Sequence, residues 1–268
     1  MNRCLSIGLL AWAAAACSGS SSGATDVPEP LPQPVPEVPT PATPATETYT
    51  GLVTQTRPYP AAYEQETERR GRVVEVTYGT RDYAEGTGAA RTNNAFVYLP
   101  YGYGEDATRR YNILYLVHGH YGDARTFLTA DVGLLRRVLD HMIARGDIEP
   151  LIVVTPSYNY GRPTADYVSA DRYCRALPLE LQHDLMPLIE SRYRTYAPSA
   201  DSAGLAASRA HRAIGGFSMG AVTTWYALDE TLALFHWFLP MSGDSWSLGP
   251  FAGMNRPAET SRFLAERI

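Results

Sequence analysis

The chain has 268 residues, 45% of them hydrophobic and 19% charged, a balance that suits one globular domain of moderate size plus tails. A formal net charge of −5 argues against a nucleic-acid partner, because phosphate binding needs a basic face and the basic residues cluster only in short pairs such as Arg69-Arg70, Arg109-Arg110 and Arg136-Arg137. With three cysteines, Cys4, Cys17 and Cys174, and the first two in the N-terminal leader, no disulfide framework is expected, and Cys174 has no neighbouring His or Cys that would make it a metal ligand.

Met1-Asn2-Arg3-Cys4 followed by the apolar Leu5 to Ala16 is a basic n-region and an h-region too short to span a bilayer, the pattern of an export signal over residues 1–17. Ala14-Ala15-Ala16-Cys17 resembles a lipobox, in which Cys17 would be lipidated and anchor the protein to a membrane. Ala14 departs from the leucine usual there, so cleavage without lipid stays open. Residues 18–48 are Ser/Gly-rich and then Pro-rich, with Pro28, Pro30, Pro32, Pro34, Pro36, Pro39, Pro41 and Pro44. Proline fixes φ and removes the N–H donor, so this stretch is expected to be an extended tether.

The folded domain is expected over residues 49–268. Residues 72–78 and 94–100 alternate with period two and predict an antiparallel hairpin. The continuous apolar runs 111–117 and 151–156 predict strands buried on both faces. Between them residues 132–144 carry a helical period that Gly146 ends. Residues 178–193 predict an amphipathic helix with Leu181, Leu185, Leu188 and Ile189 on its apolar stripe and Gln182, Asp184 and Glu190 away from it. A further strand, a helix from 219 and a strand over 235–241 complete a mostly parallel sheet covered on both faces, the order of an α/β-hydrolase.

The chain is organised around Gly216-Phe217-Ser218-Met219-Gly220. An apolar strand precedes it and a helix follows at once, the arrangement of a nucleophile elbow that lifts a serine hydroxyl above the sheet. Ser218 is the candidate nucleophile, with the backbone N–H groups of Met219 and of His120, in the loop that begins His118-Gly119, as candidate oxyanion donors. Tyr158, Tyr160 and Trp246 are candidates for stacking on an aromatic acyl group or a sugar, with ordinary packing as the alternative. No metal site and no cofactor are expected.

The blocks Asn94 to Tyr103, Tyr115 to Gly119, Glu149 to Pro156, Ala207 to Gly220 and Leu239 to Trp246, collinear from about residue 72 to the end, resemble the feruloyl esterase domains attached to bacterial xylanases, in carbohydrate esterase family one. The resemblance implies cofactor-free hydrolysis of feruloyl or acetyl esters on plant cell-wall xylan. It also implies a catalytic acid and a histidine later than the Leu239 to Asp244 segment. After Ser218 the chain offers a single histidine, His236, placed at the wrong end of its strand, while Asp244 is the one in-chain candidate for the acid, with a turn carboxylate that shapes the pocket wall as the favoured alternative. The last strands of the sheet, the triad histidine and its acid are therefore expected beyond residue 268. The chain taken alone is expected to be inactive or nearly so, with an open sheet edge and an apolar face. A non-catalytic carbohydrate-binding module and an acyltransferase of the same superfamily are the alternatives.

Overall fold

The computed structural model describes residues 58–129, 133–162 and 164–268. The expected signal, Cys17 and the tether lie outside the described residues. Among the described residues no helix is long and apolar enough to cross a membrane.

The sheet is built from β1 (Arg72–Arg81), β2 (Ala90–Leu99), β3 (Asn112–Val117), β4 (Leu151–Pro156), β5 (Arg212–Phe217) and β6 (Trp237–Met241) in the order β1-β2-β4-β3-β5-β6. β1 and β2 form the expected antiparallel hairpin, in register from Arg72 opposite Leu99 to Arg81 opposite Ala90, and β2 is antiparallel to β4. From β4 onward every pairing is parallel. Alternation along the strands sorts the core into two faces. Tyr115, Val117, Ile152, Val154 and Ile214 pack on one, while Phe96, Tyr98, Leu116 and Val153 pack on the other with Leu139. At the β6 edge Trp237 is 58% exposed and Leu239 46%, so the apolar face expected there is bare among the described residues.

Seven helices accompany the sheet among the described residues: α1 (Leu135–Arg145), α2 (Tyr167–Glu180), α3 (Met186–Arg192), α4 (Ser202–Ala207), α5 (Met219–Glu230), α6 (Ala252–Asn255) and α7 (Pro257–Ala265). α1 ends where the glycine signal put it: Gly146 takes φ 75° and its N–H bonds Ile143 O at 3.1 Å. The helix expected from Pro178 begins eleven residues earlier, at Tyr167, and passes through a π-turn at Leu181–Leu185 into α3. Pro178, where the predicted helix began, lies inside α2. The start signal was Asp166, whose carboxylate accepts from Ser169 N at 2.7 Å as an N-cap.

Glu190 departs from expectation. Placed away from the apolar stripe by the helical period, it is 6% exposed and pairs with Arg212, itself 1% exposed. Arg212 Nε and Nη2 reach the two Glu190 oxygens at 2.7 and 2.8 Å, while its remaining donors go to Leu205 O, Leu234 O and Ser208 Oγ. Tyr115 and Thr195 hydroxyls complete the carboxylate at 3.3 and 2.9 Å. A buried charge pair persists only when its donors and acceptors are satisfied in this way. The cluster ties α3, the end of α4 and the loop before β6 to the first residue of β5, the strand that carries Ser218.

Candidate active site

β5 delivers the chain to Ser218, which adopts φ 55° and ψ −115°, and α5 begins at the next residue. The turn closes only because side chains are missing: a Cβ on Gly216 would fall 2.3 Å from Gly220 O, and one on Gly220 2.1 Å from Val117 O. Ser218 N donates to Met241 O at 2.9 Å, which fixes the elbow to the end of β6. As the first residue of α5, Met219 has no acceptor within the helix for its N–H, and the positive end of the helix dipole lies beside Ser218. Cys174, fully buried, packs with its Sγ 3.6 Å from Met219 O.

The loop after β3 lies against the serine, for a Cβ on Gly119 would sit 3.5 Å from Ser218 Cβ. His118 shapes this loop. Its Nδ1 donates to Gly119 O at 2.7 Å, so the unprotonated Nε2 faces the Ser157 hydroxyl at 3.0 Å, and the ring stacks on Tyr158 at 4.5 Å. Burial pushes the His118 pKa down to about 4, against the pull of the Gly119 carbonyl. It is therefore neutral at pH 7, with both nitrogens engaged away from Ser218. Because the unfolded imidazole protonates near its ordinary value of 6.5 and the folded one near 4, protons bind the unfolded state first, and stability falls as pH drops from 6.5 towards 4. This one group accounts for roughly 3 kcal/mol across that window by linkage. Urea denaturation at pH 7 and pH 4.5 is expected to show a smaller loss on acidification for His118→Gln than for the parent, and equal losses would contradict this assignment.

A cavity of about 260 Å³ opens over Ser218, walled by Met219, Tyr167, Asp244, Trp246 and Phe251. Trp246 and Phe251 meet with ring centroids 4.6 Å apart. Ser218, Ser242 and Phe251, three of the four described non-glycine residues with positive φ, line it, and such strain gathers at working sites. The Asp244 oxygens accept from Trp246 Nε1 at 2.9 Å and Met254 N at 2.8 Å, so this carboxylate holds the aromatic wall in place.

The structure thus brings together Ser218, Met219, Asp244 and Trp246, with the His118–His120 loop alongside. It separates the two tyrosines. Tyr158 lies beneath His118 with its hydroxyl on Gly119 O at 3.1 Å and does not line the Ser218 cavity, a packing role. Tyr160 lines a neighbouring cavity. Tyr167 and Phe251 escaped the sequence reading. Tyr167 stood at the start of an unrecognised helix beside the Asp166 cap, and Phe251 is brought in by the Gly249-Pro250 turn, closed by Ala252 N on Gly249 O at 3.1 Å, which the sequence reading did not use. His120 is buried, its Nδ1 3.4 Å from Thr164 Oγ1 and its ring against Tyr167. Among the described residues no histidine hydrogen-bonds the Ser218 hydroxyl, and no group of three His, Cys, Asp or Glu side chains is placed to hold a metal. His236 is exposed at the opposite end of β6, its N–H on Arg212 O.

An α/β sheet with a strained serine between strand and helix, facing a glycine-containing loop, defines a protein of the α/β-hydrolase type. The chain belongs to the Esterase family, whose model, described as "Putative esterase", matches residues 88–253. It is 41% identical over 214 residues to endo-1,4-beta-xylanase Y of Acetivibrio thermocellus, which covers 80% of this chain and 18% of that protein. It is 30% identical over 184 residues to an endo-1,4-beta-xylanase/feruloyl esterase of Xylanibacter ruminicola, covering 66% of this chain and 22% of the relative. Among solved structures it is similar to a serine-to-alanine mutant of the feruloyl esterase module from Clostridium thermocellum complexed with sinapinate, with a TM-score of 0.67 and 39% identity over 80% of this chain and 66% of that one. The chain therefore spans about a fifth of the length of these curated relatives and just under two thirds of the solved module.

Proposed function

We propose that this protein hydrolyses feruloyl or acetyl esters on plant cell-wall xylan, with Ser218 as nucleophile. The observation that carries the reading is Ser218 itself, strained at the head of α5 in a cavity with an aromatic wall. Its hydroxyl oxygen attacks the ester carbonyl, and the N–H groups of Met219 and His120 stabilise the developing oxyanion. One such donor is commonly worth about 3 to 4 kcal/mol of barrier. An imidazole takes the serine proton and returns it to the departing sugar hydroxyl, leaving an acyl-serine that water cleaves. Neither His118 nor His120 fills that role, for each bonds away from the Ser218 hydroxyl. Trp246 and Phe251 bind the flat acyl ring, and Asp244 fixes the Trp246 indole rather than serving as the acid. No cofactor takes part. The protein is exported, with Cys17 carrying lipid to a membrane and residues 18–48 spacing the esterase from it.

The test is ferulate release from methyl ferulate by protein expressed from its full reading frame, beside Ser218→Ala. Turnover abolished by the substitution is expected; binding of xylan fragments without any turnover would favour the non-catalytic module. Trp246→Ala is expected to lower the ratio of feruloyl to acetyl ester kcat/KM about tenfold, as loss of one aromatic contact of about 1.4 kcal/mol would. Taking the ratio within one variant cancels any change in the folded fraction, and an unchanged ratio would remove Trp246 from the acyl site.

A further inference from the structure

Beside the Ser218 cavity lies a second cavity of about 310 Å³, and its charge is one-sided. Arg91, Arg162 and Arg172 line it together with Tyr160, Thr164 and Ser169, and no carboxylate contributes to its wall. Two of the guanidiniums are held in place from behind. Arg91 pairs with the buried Asp82 and lies 5.4 Å from the Tyr160 ring centroid. Arg172 pairs with Glu85 at 3.0 Å and lies 5.0 Å from the Tyr173 ring, and the two tyrosine rings meet edge-to-face at 6.3 Å. Tyr160 lies close enough to the buried Glu180 to feel its charge, and Tyr78 and Asn93 hydrogen-bond that carboxylate at 2.6 and 2.8 Å. The third arginine, Arg162, is exposed and its guanidinium makes no ion pair or hydrogen bond among the described residues. Asp82 and Glu85 partner two of these guanidiniums and Asp166 caps Ser169 N at the rim, so Arg162 is the guanidinium of the three without a carboxylate partner among the described residues.

The position of this cavity gives the charge a use. Thr164 lines it and lies 3.4 Å from His120, in the loop beside Ser218. In the first two turns of α2, Tyr167 lines the Ser218 cavity while Ser169 and Arg172 line the arginine cavity, so the two cavities share this wall. A saccharide that leaves the Ser218 cavity across this shared wall would pass the arginines.

We propose that Arg91, Arg162 and Arg172 form a subsite for a carboxylate carried by the saccharide, a uronic acid residue near the esterified sugar. Planar guanidiniums pre-oriented on aromatic rings match a carboxylate by paired N–H···O bonds, and their rigidity lowers the entropy lost on binding. The subsite rests on the ester-hydrolase reading only for placing both groups on one substrate.

The experiment is calorimetric titration of the Ser218→Ala protein with a xylo-oligosaccharide bearing one glucuronic acid, with the same oligosaccharide as its glucuronate methyl ester, and with the unsubstituted oligosaccharide. The acid is expected to bind about tenfold more tightly than either neutral compound, with most of the difference lost in 0.5 M salt. Arg162→Ala and Arg172→Ala are expected to erase the preference while leaving affinity for the neutral oligosaccharide within about twofold. Equal affinity for the three compounds, or a preference that survives both substitutions, overturns the subsite. Methyl ferulate hydrolysis by the parent protein reads the ester-hydrolase proposal separately, since that ester carries no carboxylate or saccharide.

Discussion

Replacing Arg212 by alanine is expected to lower the unfolding free energy by about 3 to 5 kcal/mol, the range seen when one partner of a buried ion pair is removed. The cost arises less from lost attraction than from what is left behind. Glu190 would remain buried without the two guanidinium donors at 2.7 and 2.8 Å, and Leu205 O and Leu234 O would lose theirs. Because Arg212 opens β5, the damage should reach Ser218 at the strand's other end, lowering activity with stability. Replacing both partners by Arg212→Met with Glu190→Leu should recover much of the loss, since paired apolar substitution removes the stranded charge. Urea titration of the three proteins decides the point. A loss under about 1 kcal/mol for Arg212→Ala would mean that water or neighbouring groups satisfy Glu190 and that the cluster does not hold the strand.

Gly220→Ala is expected to disable the elbow. Its new methyl group would fall 2.1 Å from Val117 O and 2.8 Å from His118 O, both backbone atoms that no side-chain rotation can move. Either α5 shifts away from the sheet or β3 gives way, and each displaces Met219 N–H relative to the His118–His120 loop. A core overpacked by a methylene commonly loses about 1 to 3 kcal/mol, and a collision with fixed backbone belongs at or above the upper end. Ester turnover should fall by at least about 100-fold, because misplacing the reacting groups by an ångström costs that much. Gly79→Ala, where a Cβ would meet nothing within 4 Å, is the matched control and should change stability by less than about 0.5 kcal/mol. Similar behaviour of the two variants would contradict the steric account.

Most of the fold was legible in the sequence because strands buried on both faces write themselves as continuous apolar runs. The strand at 151–156 was placed to the residue, and the elbow was recognisable because its glycines are demanded by contacts a few residues away. What escaped was set by distant partners. Glu190 fits an exposed helical position by period, and only Arg212, brought across from another element, explains its burial. The first three turns of α2 were missed because the clear amphipathic stripe begins only after Pro178, while the start is marked by the Asp166 cap. In the site, Ser218 and Trp246 were legible as local motifs, whereas Tyr167 and Phe251 reach the cavity through packing that no local pattern records. Tyr160, a candidate for stacking on the acyl group or a sugar, has φ 54° and lines the arginine cavity rather than the Ser218 cavity.

The most direct test of the central claim is ferulate release from methyl ferulate at pH 7 by protein expressed from the full reading frame, measured for the parent and for Ser218→Ala at matched folded fraction. The account predicts that the substitution lowers kcat by about 10³-fold or more, the loss typical of removing a catalytic serine. Equal rates for the two proteins would contradict it.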